Sequence, residues 1–190
     1  MRALARSMRI DDGATSRNPG DRVGKPVGHV PGVGRQDNYS RMDRMSHARR
    51  FDHVGITVGD LDTVTAFFVG LGLEVEGRTF VEGEFLDTVI GIPDSRTEIV
   101  MLRPPDGGTR LELSSFVRPD HQPGSPAAMA NELGLRNVAF EVDDLQAAVD
   151  RLAADGYGLV GGIGQYEHTW RMAYVRGPEG IIVSLAERIG

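Results

Sequence analysis

Cysteine is absent from the 190 residues, and with it go thiolate nucleophiles, disulfides and every metal site built on sulfur. Lysine is almost absent. Lys25 is the only one, so the body of the chain has no amine for a Schiff base. Long apolar runs are missing too; none approaches the roughly 20 residues that a bilayer-spanning helix requires. Without an apolar export segment, a soluble cytoplasmic protein is the expectation, with no membrane partner. Positive charge is scarce where a nucleic-acid face would need it. Residues 51–190 carry 10 Arg against 22 Asp+Glu, and so acidic a body has no basic surface for phosphates.

Residues 1–50 have the opposite balance, 11 Lys+Arg against 5 Asp+Glu. Runs such as Arg17-Asn18-Pro19-Gly20-Asp21-Arg22 show no period of 2 or 3.6 and offer too few apolar groups to offset backbone ordering. Residues 1–48 are therefore expected to be a disordered basic leader without catalytic consequence. Asp11, Asp12 and Asp21 weaken a transit-peptide reading. Met42 and Met45 stand just before the first patterned segment, so a start codon chosen too early is a second account of the leader.

From residue 49 the texture changes. Phe51-Asp52-His53-Val54-Gly55-Ile56-Thr57-Val58 alternates as a half-buried strand does. Gly59-Asp60-Leu61-Asp62 offers a helix entry capped by Asp, and residues 61–70 keep helical spacing up to Gly70-Leu71-Gly72. Strands are expected next at 73–79, 98–102 and 110–114, the last two joined through Pro105-Asp106-Gly107-Gly108. The order then recurs at an offset of 84 residues. Leu135 to Leu145 repeats the first strand and helix entry, residues 145–154 form a second helix, and strands are expected near 157–162, 170–176 and 181–186. The last pair is joined by Gly177-Pro178-Glu179-Gly180. The fold class is α+β: two βαβββ modules, about 49–117 and 135–188, whose eight strands form a cupped mixed sheet with the helices on its outer face. The link, about 118–134, is broken by Pro119, Pro123, Gly124 and Pro126, with a short helix expected near Ala127 to Leu133.

Alternation assigns the faces. Val54, Ile56 and Val58 lie under the first helix and leave His53 and Thr57 facing the cup. Val138, Phe140 and Val142 do the same for Asn137 and Glu141. Leu111 and Leu113 leave Arg110, Glu112 and Ser114 inward, and Val183 and Leu185 leave Ile182, Ser184 and Ala186. The repeat makes His53 equivalent to Asn137, and Glu112 equivalent to Ser184.

These stretches, together with Leu111-Glu112-Leu113, Val138-Ala139-Phe140-Glu141-Val142-Asp143-Asp144-Leu145 and Gly177-Pro178-Glu179-Gly180, resemble the vicinal-oxygen-chelate superfamily of glyoxalases, bleomycin-resistance proteins and methylmalonyl-CoA epimerases. The resemblance covers about 140 residues. Ser125-Pro126 and the helix expected after it are similar to the epimerases' link between halves. The resemblance implies a glyoxalase-like fold, a small-molecule ligand or substrate, and a homodimer. In metal-dependent members four ligands come from the first and last strands of each half. His53 and Glu112 match the first two positions, while Asn137 and Ser184 stand at the third and fourth. The implied cofactor is a divalent ion (Mn, Ni, Zn, Co or Fe) on His53 and Glu112, with Asn137 as a weak oxygen donor.

Two functions remain open. One is metal-assisted proton transfer next to a carbonyl, a lyase or isomerase reaction in which Glu141 or His121 moves the proton. The other is a metal-free drug- or metabolite-binding protein, in which His53 and Glu112 form only a hydrogen-bonded pair. A dioxygenase reading is weaker, because its iron site wants two His and a carboxylate. Arg110 and Arg171 are the expected partners of Glu112 or Glu141. Trp170, Met172 and Tyr174 share a strand face that suits a binding wall or core packing equally. Gly161-Gly162-Ile163-Gly164 lacks the Lys-Ser/Thr of a phosphate loop and reads as a flexible connection.

Overall fold

The computed structural model describes residues 48–190; the expected leader, 1–48, lies outside them except for its last residue. The first module runs β1 (His53–Thr57), α1 (Leu61–Gly70), β2 (Glu74–Glu82), α2 (Glu84–Ile90), β3 (Arg96–Arg103) and β4 (Arg110–Arg118). The second runs β5 (Asn137–Glu141), α3 (Leu145–Ala154), β6 (Gly158–Leu159), β7 (Gly164–Tyr166), β8 (Trp170–Arg176), a short 3₁₀ turn (Pro178–Gly180) and β9 (Ile182–Arg188). The strands form two sheets, ordered β1-β4-β3-β2 and β5-β9-β8-β6, with β7 also paired to β8. In each sheet the first strand is the edge and runs parallel to the last, β1 beside β4 and β5 beside β9. The two modules thus repeat one topology.

Both main helices begin where an aspartate supplies the missing acceptor. Asp60 accepts from the Thr63 N–H at 2.9 Å and Asp144 from the Ala147 N–H at 2.9 Å, each satisfying an otherwise unpaired first-turn donor. Helix α1 stops at Gly72, whose φ of +99° suits glycine. Helix α2 lies where the sequence pattern predicts none. It enters after Gly83, ends at the left-handed Gly91, and uses the Asp87 carboxylate to accept from the Asp94 and Ser95 N–H groups. Of the expected strand 157–162 only Gly158–Leu159 forms, as β6, and the strand β7 begins at Gly164, at the end of the stretch expected as a flexible connection. The helix expected at 127–133 does not form. Isolated turns stand there, Ala128 N–H to Ser125 O and Glu132 N–H to Met129 O. Pro123, Gly124 and Pro126 deprive its start of preceding helical backbone, and Gly134 comes next at φ +114°.

One core serves both modules. Leu61, Val64, Phe67 and Phe68 of α1 and Leu145, Val149 and Leu152 of α3 join Leu111 and Leu113 of β4 and Val183 and Leu185 of β9. These strand residues lie under the helices, as alternation predicts. Aromatic contacts cross the repeat: Phe68 meets Phe140 at 6.3 Å between ring centroids and Phe67 meets Tyr157 at 4.9 Å. Gly177 lies so close to Phe67 that a Cβ there would stand 2.6 Å from the ring. Among the described residues no helix is long and apolar enough to cross a membrane.

Candidate functional site

In the parallel β1–β4 register His53 lies opposite Arg110 and Gly55 opposite Glu112. The imidazole of His53 therefore leans diagonally along the face turned away from the core, over a residue without a side chain. A Cβ at Gly55 would meet nothing within 4 Å, so the space between the two groups is open. His53 Nε2 and Glu112 Oε2 stand 3.8 Å apart, with the side chains 38% and 26% exposed. That is too long for a hydrogen bond and leaves both groups able to take a third atom.

Asp52 fixes the imidazole. Its Oδ2 lies 3.0 Å from His53 Nδ1. A carboxylate can only accept, so Nδ1 carries the proton and the Nε2 lone pair faces Glu112. The same hydrogen bond is the largest cause holding the Asp52 carboxyl below its usual range; the charges of Arg50 and Arg110 add to it and burial opposes it. Alternation does not select Asp52. It precedes β1 by one residue and is not bound to the strand's faces; its only signal in the sequence is adjacency to His53.

The expected partners differ. Arg110 pairs with Glu76 at 2.8 Å rather than with Glu112 or Glu141, and Arg171 with Glu187 at 3.3 Å. Both arginines take the nearest carboxylate of a neighbouring element and leave Glu112 to His53. Glu141 is exposed, its carboxylate makes no hydrogen bond or ion pair among the described residues, and it borders a hollow between the end of α1 and the start of α3. His121 sits elsewhere. Its Nε2 accepts from the Phe116 N–H at 3.0 Å, where β4 has run past the end of β1 and would otherwise lack an acceptor. Phe116 is four residues from Glu112, about 13 Å along the strand.

The equivalent face of the second module is closed. Ile182, Ser184 and Ala186 are 3%, 2% and 7% exposed, and Trp170 is 4% exposed. Trp170 therefore packs as core, not as an open wall. Tyr174 lies opposite Ser184 in the β8–β9 register, and its hydroxyl accepts from the Asn137 amide at 3.4 Å.

The donors present suit a divalent cation at two positions. A neutral imidazole nitrogen with its tautomer fixed by a carboxylate, facing a second carboxylate across open space, is the arrangement of a metal-ligating histidine. The other two positions add little, with a neutral amide engaged by Tyr174 and a buried hydroxyl. Among the described residues no group of three or more His, Asp or Glu is placed to hold a metal ion.

Residues 52–174 match the model of the glyoxalase/bleomycin resistance protein/dioxygenase superfamily. Among solved structures, a glyoxalase family protein from Bacillus cereus is 41% identical, with a TM-score of 0.74 over 77% of this chain and 99% of its own. A glyoxalase family protein from Enterococcus faecalis is similar at 20% identity and TM-score 0.52, over 73% of this chain and 98% of its own. A glyoxalase I variant from Zea mays is similar at 19% and 0.53, over 74% of this chain and 47% of its own; these two share the fold. No curated protein matches the sequence. With its duplicated βαβββ topology and a superfamily match over most of its length, the chain belongs to the glyoxalase/bleomycin resistance protein/dioxygenase superfamily.

Proposed function

We propose that this protein catalyses proton transfer next to the carbonyl of a small molecule, as glyoxalase- and epimerase-like proteins do, with the His53–Glu112 pair as the substrate-anchoring centre. The observation carrying this reading is the pair itself: two acceptor atoms 3.8 Å apart, partly exposed and turned toward a common point, with the imidazole tautomer set by Asp52. A divalent ion held by His53 and Glu112, with Asn137 as a weak third donor, would supply Lewis-acid polarisation of a carbonyl oxygen. Asp52 keeps the Nε2 lone pair directed into the site. Glu112 places negative charge beside it. Glu141 and His121 are the two candidates for the α-proton: the Glu141 carboxylate is unengaged among the described residues but borders the hollow between α1 and α3, and His121 is committed to the far end of β4. The working unit in this reading is a homodimer, as the family resemblance implies.

A second reading has its own observation. Ser184 is buried and the Asn137 amide nitrogen donates to Tyr174, so beyond His53 and Glu112 only a neutral amide oxygen is left, a weak site for a transition ion. A metal-free protein that binds a drug or metabolite would look the same. Metal analysis of the full chain purified without chelator, with His53→Ala as control, separates the two. Near-stoichiometric metal lost in the variant is expected; less than about a tenth of an equivalent, with no activation by added ions, leaves the binder. Hydrogen exchange from D₂O into thioesters and hemithioacetals reads the chemistry. Glu141→Gln should lower it about 100-fold or more, and an unchanged rate removes Glu141 from the mechanism.

A further inference from the structure

A second hollow adjoins the His53–Glu112 pair and shares Gly55 and Asn137 with that site. It encloses about 310 Å³ and is walled by the end of β1, the start of β5, the link between modules and the Pro178–Gly180 turn. Neither His53 nor Glu112 lines it. Ile56, Ala128, Val138 and Ile182 give it an apolar floor, and Thr57, Asn137 and Arg136 give it polar edges.

Its charges are unusual for so acidic a body. The Arg136 side chain is 28% exposed, and its one ionic neighbour among the described residues, Glu132, is at 3.6 Å, beyond a good hydrogen bond. Its Nε donates to the Leu135 carbonyl, so the ion pair of one terminal nitrogen with Glu132 is the single ionic contact of the guanidinium among the described residues. Arg176 stands just behind the wall and, among the described residues, is bound by neutral acceptors: the carbonyls of Pro126, Ala128 and Gly180 and the Met129 sulfur. The one acid on the lining is Glu179. Both its oxygens accept from the Gly59 and Asp60 N–H groups at 2.6–3.0 Å, so its charge is already matched by the positive end of α1. Among the described residues, then, Arg136 on the edge of the hollow has one loose ion pair, Arg176 behind it has none, and the one carboxylate on the lining is already bound.

We propose that this hollow between the modules binds a small organic anion, a carboxylate with a short apolar tail, with Arg136 as its charge-recognising residue. A planar carboxylate matches the free edge of a guanidinium in paired hydrogen bonds, and the volume suits a tail of a few carbons or one ring. The hollow borrows Asn137 from the proposed site but neither His53 nor Glu112, so the proposal stands on Arg136 and not on the proton-transfer reading.

Isothermal calorimetry on the full chain tests it, with hexanoate and benzoate as probes against hexanamide and benzamide. At least one acid is expected to bind saturably, about tenfold or more tighter than its amide, and to weaken about tenfold or more in Arg136→Gln. Arg136→Lys keeps the charge without the fork and should fall between. Circular dichroism checks that each variant is folded. His53→Ala should bind as the native protein does, so loss of the proton-transfer reading and loss of this one remain distinguishable. Equal binding of acid and amide, no saturable binding of either acid to about 10 mM, native affinity in Arg136→Gln, or abolition by His53→Ala would each overturn the proposal.

Discussion

The two modules share a topology and differ in what their open faces carry. In the first, His53, Arg110 and Glu112 stand partly exposed around the empty space over Gly55. In the second, the matching strand positions Ile182, Ser184 and Ala186 are sealed, and Asn137 is engaged with Tyr174. The buried sides are alike, with Leu111 and Leu113 answered by Val183 and Leu185 in one core. Duplication has kept what the fold needs, two apolar residues per strand beneath a helix, and left the opposite face free to diverge. Chemistry is concentrated in one half while the other supports it.

The sharpest way to break this comparison is to exchange the equivalent residues. Ser184→Glu places a carboxylate where 2% of the residue meets solvent, with no described cation paired to it. Its unfolding free energy should fall by about 3–5 kcal/mol, the scale of an uncompensated buried charge. Glu112→Ser removes a half-exposed acid and should cost under about 1 kcal/mol. Urea denaturation reads both. Similar costs for the two variants would mean that the second face opens readily and that a four-ligand site can be rebuilt there.

The hairpin turns give a smaller effect with the same logic. Both read Pro-acid-Gly, and both glycines have positive φ, +70° at Gly107 and +82° at Gly180. A Cβ at Gly107 meets nothing, whereas at Gly180 it would stand 2.2 Å from the Pro126 carbonyl oxygen. Gly107→Ala should cost about 1 kcal/mol from conformation alone. Gly180→Ala should cost about 2–3 kcal/mol, since the link must also shift. Equal losses would show that the link yields freely and that its close seating on the second module is not required.

The scaffold is legible because its signals are local. Asp60 and Asp144 announce helices that begin at the next residue, and alternation places His53 and Glu112 on one face. Helix α2 escapes a sequence reading because its seven residues, Glu84–Ile90, bury only Leu86 and so give no amphipathic period. The expected helix in the link fails on its prolines and glycines, whose effect the local apolar spacing does not show. The site is half legible. Asp52 escapes because alternation says nothing about a residue outside the strand. The sealing of Ser184 escapes because burial depends on what lies over a face, which is a matter of long-range packing. The partners of Arg110 and Arg171 escape for the same reason, as Glu76 comes from β2 and Glu187 from β9.

The helix caps give the smallest contrast, and a pH axis on which to measure it. Asp60 accepts from the Thr63 N–H and also from the Thr63 hydroxyl at 2.7 Å, whereas the residue facing Asp144 is Ala147, which has no hydroxyl. The Asp60 carboxyl is held below its ordinary 3.8, first by the Thr63 backbone N–H and then by the hydroxyl. A carboxyl lowered on folding adds stability that is complete above its unfolded value. That stability is lost as the pH drops through the lower folded value. Asp60→Asn keeps a good cap without the titration. It should therefore leave stability near pH 7 almost unchanged and make the decline as the pH falls below the ordinary carboxyl value of 3.8 shallower. Some slope must persist, because Asp52, also lowered by its hydrogen bond with His53 and by two arginines, titrates in the same direction. An acid decline in urea midpoint as steep in Asp60→Asn as in the native chain would show that this cap is not among the groups that drive it, and that the extra hydroxyl on α1 distinguishes the two helices only in geometry.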